Sequence, residues 1–270
     1  SVRCRELPVR AALRLRYILL CFSPRYTSDL TSVSRRNLGA CRAGCRRYDR
    51  NMTQKAACMS DSIALQPARI CIGVTGHRDS NTAFAANRAA IESVFGMILD
   101  AVDAVTARQD EAVGRSRLHS LLAHGADMNA VEQALERDWE VSAPLPFGLD
   151  LNIAINAEPA NEAEVTALLG GMPSGNAQVD ALAGHMRAVA SQLRLFELAE
   201  QDAQVTQLLM AKLSSPQNSK AAQNYVTIVA ERVAAAGRVM VEQSDIILAI
   251  WDGVTPGAIG GTRHTIASAV

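Results

Sequence analysis

Two short segments carry the residue types that bind an anion. Gly76-His77-Arg78-Asp79 interrupts one apolar run, and Gly257-Ala258-Ile259-Gly260-Gly261-Thr262 follows another. Glycines let a backbone come close to a ligand and present bare N–H groups. Where a helix follows directly, its first amides are also free and its N-terminus carries partial positive charge. Such a terminus favours a single negative charge by about 0.3–1 kcal/mol, more when partly buried. Gly260, Gly261 and Thr262 therefore read as a phosphate cradle, with Thr262 either capping the helix or donating to a phosphate oxygen. A simple turn capped by Thr262 is the competing reading. Arg78 can grip the same phosphate through its bidentate fork, or sit at the surface bonded to Asp79. His77 and His264 can contact a base or ribose, or act as structural hydrogen-bonders. Asp252 can accept from ribose hydroxyls and is the candidate catalytic carboxylate; its other reading is a turn former before Gly253. Gly125 and Asp127 either touch a ligand or start the next helix.

These segments need a frame. Residues 69–75 are short, apolar and β-branched, as a buried strand requires. Ile91, Phe95, Ile98, Val102 and Val105 recur every three or four positions, which predicts a helix over residues 82–108 with one buried face. A second strand is predicted over 118–123, a helix over 128–137 and a third strand over 139–146. Pro144 and Pro146 should stop that strand early or place it at an edge. Residues 148–220 read as a helical insertion: a short helix over 161–169, a Gly-rich loop, then one longer helix marked by Met186, Val189, Leu193, Phe196, Val205 and Leu208. A helix over 222–240, a strand over 245–251 and a last helix from Thr262 complete the pattern. Alternating strands and helices imply a parallel sheet with helices on both faces, and the strand order expected for this Rossmann-like fold is 3-2-1-4. In that order the two Gly-containing loops flank the crevice where the order reverses. The last helix has no strand after it, so the reading is of a chain truncated at its C-terminus.

The 270 residues include 27 basic and 27 acidic side chains. This even balance argues against a nucleic-acid partner, which usually demands a basic excess. No apolar run approaches the ~20 residues of a membrane helix. A cytoplasmic location follows as an expectation. The averages conceal an asymmetry. All six cysteines lie at or before Cys71, and the first 50 residues hold about a dozen arginines against Glu6, Asp29 and Asp49. Residues 1–58 therefore read as a disordered or artefactual extension, with a transit peptide and a nucleic-acid-binding tail as rivals. Cys41 and Cys45 have the spacing of half a zinc site, but no second pair follows nearby, so no metal is expected. Residues 59–270 form the domain.

Four ordered segments give that domain a resemblance. They are Ile72-Gly73-Val74-Thr75-Gly76-His77-Arg78, Ser120 to Asp127, Leu145-Pro146-Phe147, and Ser244 to Gly253 continued by Gly260-Gly261-Thr262. Together they resemble the SLOG superfamily, which joins LOG-type phosphoribohydrolases to the DNA-processing protein A fold. The similarity covers residues 69–270, and its nearest branch is a set of bacterial proteins of unassigned role. It implies a nucleotide-derived ligand. It does not carry over the hydrolase chemistry. The family pattern Pro-Gly-Gly-x-Gly-Thr-x-x-Glu, aligned on Gly261-Thr262, puts Thr265 where the catalytic glutamate belongs. A threonine cannot replace a carboxylate as general base.

Three functions remain in view. The first is binding or sensing of a nucleotide-derived phosphate ligand such as ADP-ribose or NAD, with no cofactor required. The second is N-glycosidic hydrolysis, with an aspartate (Asp252, Asp127 or Asp79) in place of the glutamate. The third is an interaction module that has kept the fold and lost the pocket. Enzyme status and assembly, including a homodimer, stay open at this level.

Overall fold

The computed structural model describes residues 69–107, 114–215, 219–252 and 259–269. The proposed extension over 1–58, and Gly253 and Gly257 of the last loop, lie outside them. The described chain is an α/β fold built on one parallel sheet. Strand β1 is Cys71–Gly76, followed by helix α1 (Thr82–Thr106), β2 (Arg117–His119), α2 (Ala126–Leu135) and β3 (Glu140–Leu145). Helices α3 (Leu149–Asn156), α4 (Glu162–Leu169) and α5 (Ala177–Ala190) lead to β4 (Arg194–Glu197). Then come α6 (Asp202–Leu213), α7 (Lys220–Glu242), β5 (Ile246–Ile250) and α8 (Thr262–Ala269). Among the described residues no helix is long and apolar enough to cross a membrane.

The sheet has five strands in the order β4-β3-β2-β1-β5, all adjacent pairs parallel. This corrects the expected order 3-2-1-4. The strand expected as the fourth is β5, beside β1, and a strand absent from the sequence reading, β4, extends the other side. The single long helix expected across Met186 to Leu208 is in fact α5, β4 and α6. Its apolar spacing continues through the break, but α5 ends at Ala190, where Ser191 Oγ bonds back to the Ala188 carbonyl at 2.7 Å. Arg194 to Glu197 then pairs with Ser142 to Leu145, and the Leu198 N–H extends the ladder to the Leu145 carbonyl at 3.0 Å. The insertion is therefore partly sheet.

β3 is consequently an interior strand despite Pro144. Ser120 N–H donates to the Ser142 carbonyl (3.2 Å), so the even-numbered residues of β3 face β2. Pro144 is the next of these and has no N–H to give. It meets no ladder partner because β2 already ends at His119. The second strand is accordingly three residues long, shorter than expected.

Local signals start the helices. Asn81 accepts from the Phe84 N–H at 2.9 Å, and Ser219 from the Ala222 N–H at 3.1 Å, each satisfying an otherwise orphaned donor. Asn161 and Glu164 form a reciprocal cap: Glu164 N–H donates to Asn161 Oδ1 (3.0 Å), and Asn161 Nδ2 to Glu164 Oε1 (3.1 Å). The main core joins Ile72, Val74, Leu118, Val141 and Leu248 of the sheet to Leu99, Val131 and Met186 of α1, α2 and α5. A separate core gathers Phe147, Leu151, Val165, Val205, Leu209 and Tyr225 from the end of β3 and from α3, α4, α6 and α7.

His119 is a polar residue sealed into the sheet, 1 % exposed, opposite Gly73 and Ser142 in the neighbouring strands. Neither ring nitrogen has a hydrogen-bond partner among the described residues. Burial holds its pKa down at about 4, from an ordinary 6.5, with the nearby Arg117 charge acting in the same direction. A depressed pKa in a basic group means that the unfolded chain takes up the proton first. Stability is therefore retained above pH 6.5 and falls as the pH drops towards 4. Urea unfolding of His119→Leu against wild type should show this: the acid-side loss of stability over that window should be shallower in the variant by about one proton.

Candidate functional site

The C-terminal ends of the strands carry the loops of interest. β1 lies between β2 and β5, and the chain builds outward from β1 in one direction before returning to its other side. Ligands of open α/β sheets bind at such a reversal, beyond the carboxyl ends of the strands. A cavity of about 600 Å³ occupies this place. Its floor includes Gly76, His77 and Arg78 from the end of β1, and Gly260, Gly261 and Thr262 from the start of α8. Two loops separated by some 180 residues of sequence thus face one space, and packed side chains do not fill it.

Gly125 makes the loop arrangement possible without itself lining the cavity. Its φ is +116°, and a Cβ there would lie 2.7 Å from the His77 carbonyl and 2.8 Å from Arg78 Cα. Only glycine reconciles that backbone with so close an approach. The Ala126 N–H then donates to the His77 carbonyl at 3.0 Å, tying the β1 loop to the start of α2. Gly260 does the same on the other side. It has φ +79°, and a Cβ would meet the Ala230 carbonyl of α7 at 2.6 Å.

Gly261 is the cap of α8, because its carbonyl accepts the first helical bond, from the Thr265 N–H at 3.0 Å. Thr262 is therefore the first helical residue rather than the cap, and it lines the cavity. Thr265 is buried and also reaches the cavity wall. Its hydroxyl lies 3.4 Å from the Gly261 carbonyl, to which it donates.

The Arg78 side chain lines the cavity and makes no hydrogen bond or ion pair with any described residue. The alternative of a surface arginine bonded to Asp79 does not hold. Asp79 instead pairs with Arg88, and its other oxygen lies 3.0 Å from His124 Nε2.

The aspartates separate clearly. Asp127 is buried, lines the cavity and accepts from Ser120 Oγ at 3.3 Å. Loss of water around its carboxyl raises the pKa from 3.8 to about 7; hydrogen bonds from Ser120, Leu121 and Ala123, and the Arg78 charge, oppose the rise without cancelling it. Asp252 does not line the cavity. Its backbone N–H donates to His77 Nε2 at 3.1 Å, and Asn81 Nδ2 donates to its Oδ2 at 3.3 Å. Asp252 Oδ1 also lies 3.4 Å from the same ring nitrogen. Asp252 and His77 pin the β5 end to the β1 loop, and the candidate carboxylate facing a ligand is Asp127. His264 stands on α8 outside the cavity lining.

Comparison with known protein families, with curated proteins and with solved structures finds no match for this chain.

Sequence reading missed the far wall. Asn152 and Asn156 of α3 and Tyr225 of α7 all line the cavity. Asn156 Oδ1 accepts from the His124 N–H at 3.2 Å, which links α3 to the β2 loop. Burial pushes the Tyr225 hydroxyl up to about 12, against the Arg78 charge. The one available signal was that Tyr225 is the only tyrosine after Tyr48; its helical spacing otherwise marks it simply as core.

Two stability measurements check this construction. Gly125→Ala should lose about 1–3 kcal/mol in denaturant unfolding, from strain at positive φ and collision with the β1 loop. Asp127 has a raised folded pKa, so its penalty to the fold is absent below pH 3.8 and develops as the pH rises towards 7. Asp127→Asn should therefore gain melting temperature relative to wild type across that interval, and a difference independent of pH would contradict the burial argument.

Proposed function

We propose that the domain binds a nucleotide-derived phosphate ligand, in the manner of a sensor or binding module of the SLOG type. The single observation that carries this is the meeting of an unpaired Arg78 with the Gly260-Gly261-Thr262 start of α8 at one cavity. A guanidinium supplies a planar pair of donors, and a helix start supplies free amides and partial positive charge. The one carboxyl on the wall, Asp127, titrates only at about 7, so it adds little opposing charge below that pH. A phosphate fits this field. The volume of about 600 Å³ leaves room for the attached sugar or base beside Phe147, Ile155 and Tyr225.

A second reading has its own support. A carboxyl titrating at about 7 can hold a proton at neutral pH and deliver it to a leaving group. That is the property an N-glycosidic hydrolase needs, and it shifts the catalytic candidate from Asp252 to Asp127. Binding is the stronger reading, because nothing equivalent to the family's glutamate stands at Thr265.

Thermal unfolding with NAD, ADP-ribose and nucleoside monophosphates tests the binding. At a concentration of ~100 Kd a true ligand stabilises by about 2.7 kcal/mol. Arg78→Ala should weaken that ligand about tenfold or more while leaving the unliganded melting temperature nearly unchanged. Lack of stabilisation by every phosphate compound would refute the reading. Chromatography of the same mixtures separates binder from hydrolase: release of free base that disappears in Asp127→Asn establishes hydrolysis.

A further inference from the structure

The space around Arg78 has a second side. Another hollow, of about 390 Å³, shares Arg78, Ile155, Tyr225 and Val229 with the first and continues to Glu158 and Lys212. Lys212 stands in the last turn of α6. Its Nζ lies 4.7 Å from the centroid of the Tyr225 ring, and it forms no hydrogen bond or ion pair with any described residue. Arg78 is close enough to the same tyrosine to act on its hydroxyl electrostatically. Two cations that form no ion pair among the described residues thus border one aromatic side chain, and Arg78 belongs to both hollows. Glu158 is the single acid on the second wall, so the balance there is two positive charges to one negative.

A lone unpaired lysine on a helix is ordinary. The difference here is position: Lys212 is held over a ring that lines both cavities. A long ammonium side chain so placed can turn into the second hollow and meet an anion there, and Arg78 can reach an anion on either side. We infer that the second hollow is a subsite for another anionic group on the same ligand, with Lys212 as its anchor and Arg78 shared between the two. The ligand class is then a nucleotide carrying phosphates on separate parts of the molecule, such as a nucleoside bisphosphate or a phosphorylated dinucleotide. This rests on the phosphate reading of the first cavity.

Calorimetric titration of the full chain with AMP, and with an adenosine bisphosphate whose phosphates sit on different ribose carbons, tests it. The bisphosphate should bind about tenfold more tightly at low ionic strength, where charge pairing is least screened. Lys212→Met, which keeps the apolar stem against Tyr225, should remove that advantage and leave AMP binding unchanged. Lys212→Arg should preserve it, and Glu158→Gln should enlarge it. Equal affinity for the two compounds overturns the inference, as does a loss in Lys212→Met that is the same for both. If neither compound binds, this inference fails; where NAD or ADP-ribose still stabilises the domain the phosphate reading stands without it, and where they do not both fall together.

Discussion

The reversal of strand order beside β1 is the constraint on which the rest depends. A parallel sheet needs crossover connections, and these carry the chain away from β1 through β2, β3 and β4 before α7 brings it back to β5. The loops leaving β1 and β5 therefore diverge to opposite sides, and a gap opens between them. What closes the gap to a cavity is short-range contact. The positive φ of Gly125 lets the β1 loop lie against the start of α2, and that of Gly260 lets the last loop lie against α7. His77 accepts the Asp252 amide across the gap and fixes the two strand ends in relation to each other. Each of these residues is also a candidate ligand contact from the sequence; His77 and Gly260 line the cavity, whereas Gly125 and Asp252 do not.

The charges left in the cavity then follow from burial. Arg78 forms no ion pair with Asp79, which is taken by Arg88 and His124. Asp127 cannot serve as a full counter-ion below about pH 7, because losing water costs its charged form more than the surrounding donors return. A guanidinium facing a mostly protonated acid and a helix start is a field that lacks an anion. The same acid would strengthen its hold on a proton less, and ionise more readily, beside a bound cation than beside a bound phosphate. Ligand charge and the proton on Asp127 are therefore coupled in sign.

The sequence made the frame legible wherever a buried face had a clean period. β1 and β5 are apolar and β-branched, and α1 and α7 repeat their core residues every three or four positions, so each was identified with its approximate bounds. β4 was hidden because Leu193 and Phe196 continue the helical spacing of α5, and an edge strand of four mostly exposed residues has no face to betray it. The interior place of β3 was hidden because a proline is tolerated where the neighbouring strand has already stopped, which is a fact of pairing and not of composition. In the site, glycine and arginine positions were visible as types. Their division into cavity-lining and backbone-supporting positions was not, since that depends on distances such as 2.7 Å between a Gly125 Cβ and the His77 carbonyl. Asn152, Asn156 and Tyr225 were invisible for a simpler reason: they reach the cavity from helices far along the chain.

Those helices give the cavity its character. The strand ends and Asp127 rest on the main core, whereas Phe147 and Tyr225 belong to the second core formed with α3, α4, α6 and α7. The two cores are continuous: α3 gives Leu151 to the second and Ile153 to the first, α4 gives Val165 to the second and Leu168 to the first, and Leu169 packs against both. Further links cross beside the cavity, among them the Asn156 bond to the His124 amide and the Gly260 contact with α7. A molecule held between Arg78 and Tyr225 would tie the strand ends to this packing, and its binding energy would stabilise the folded domain.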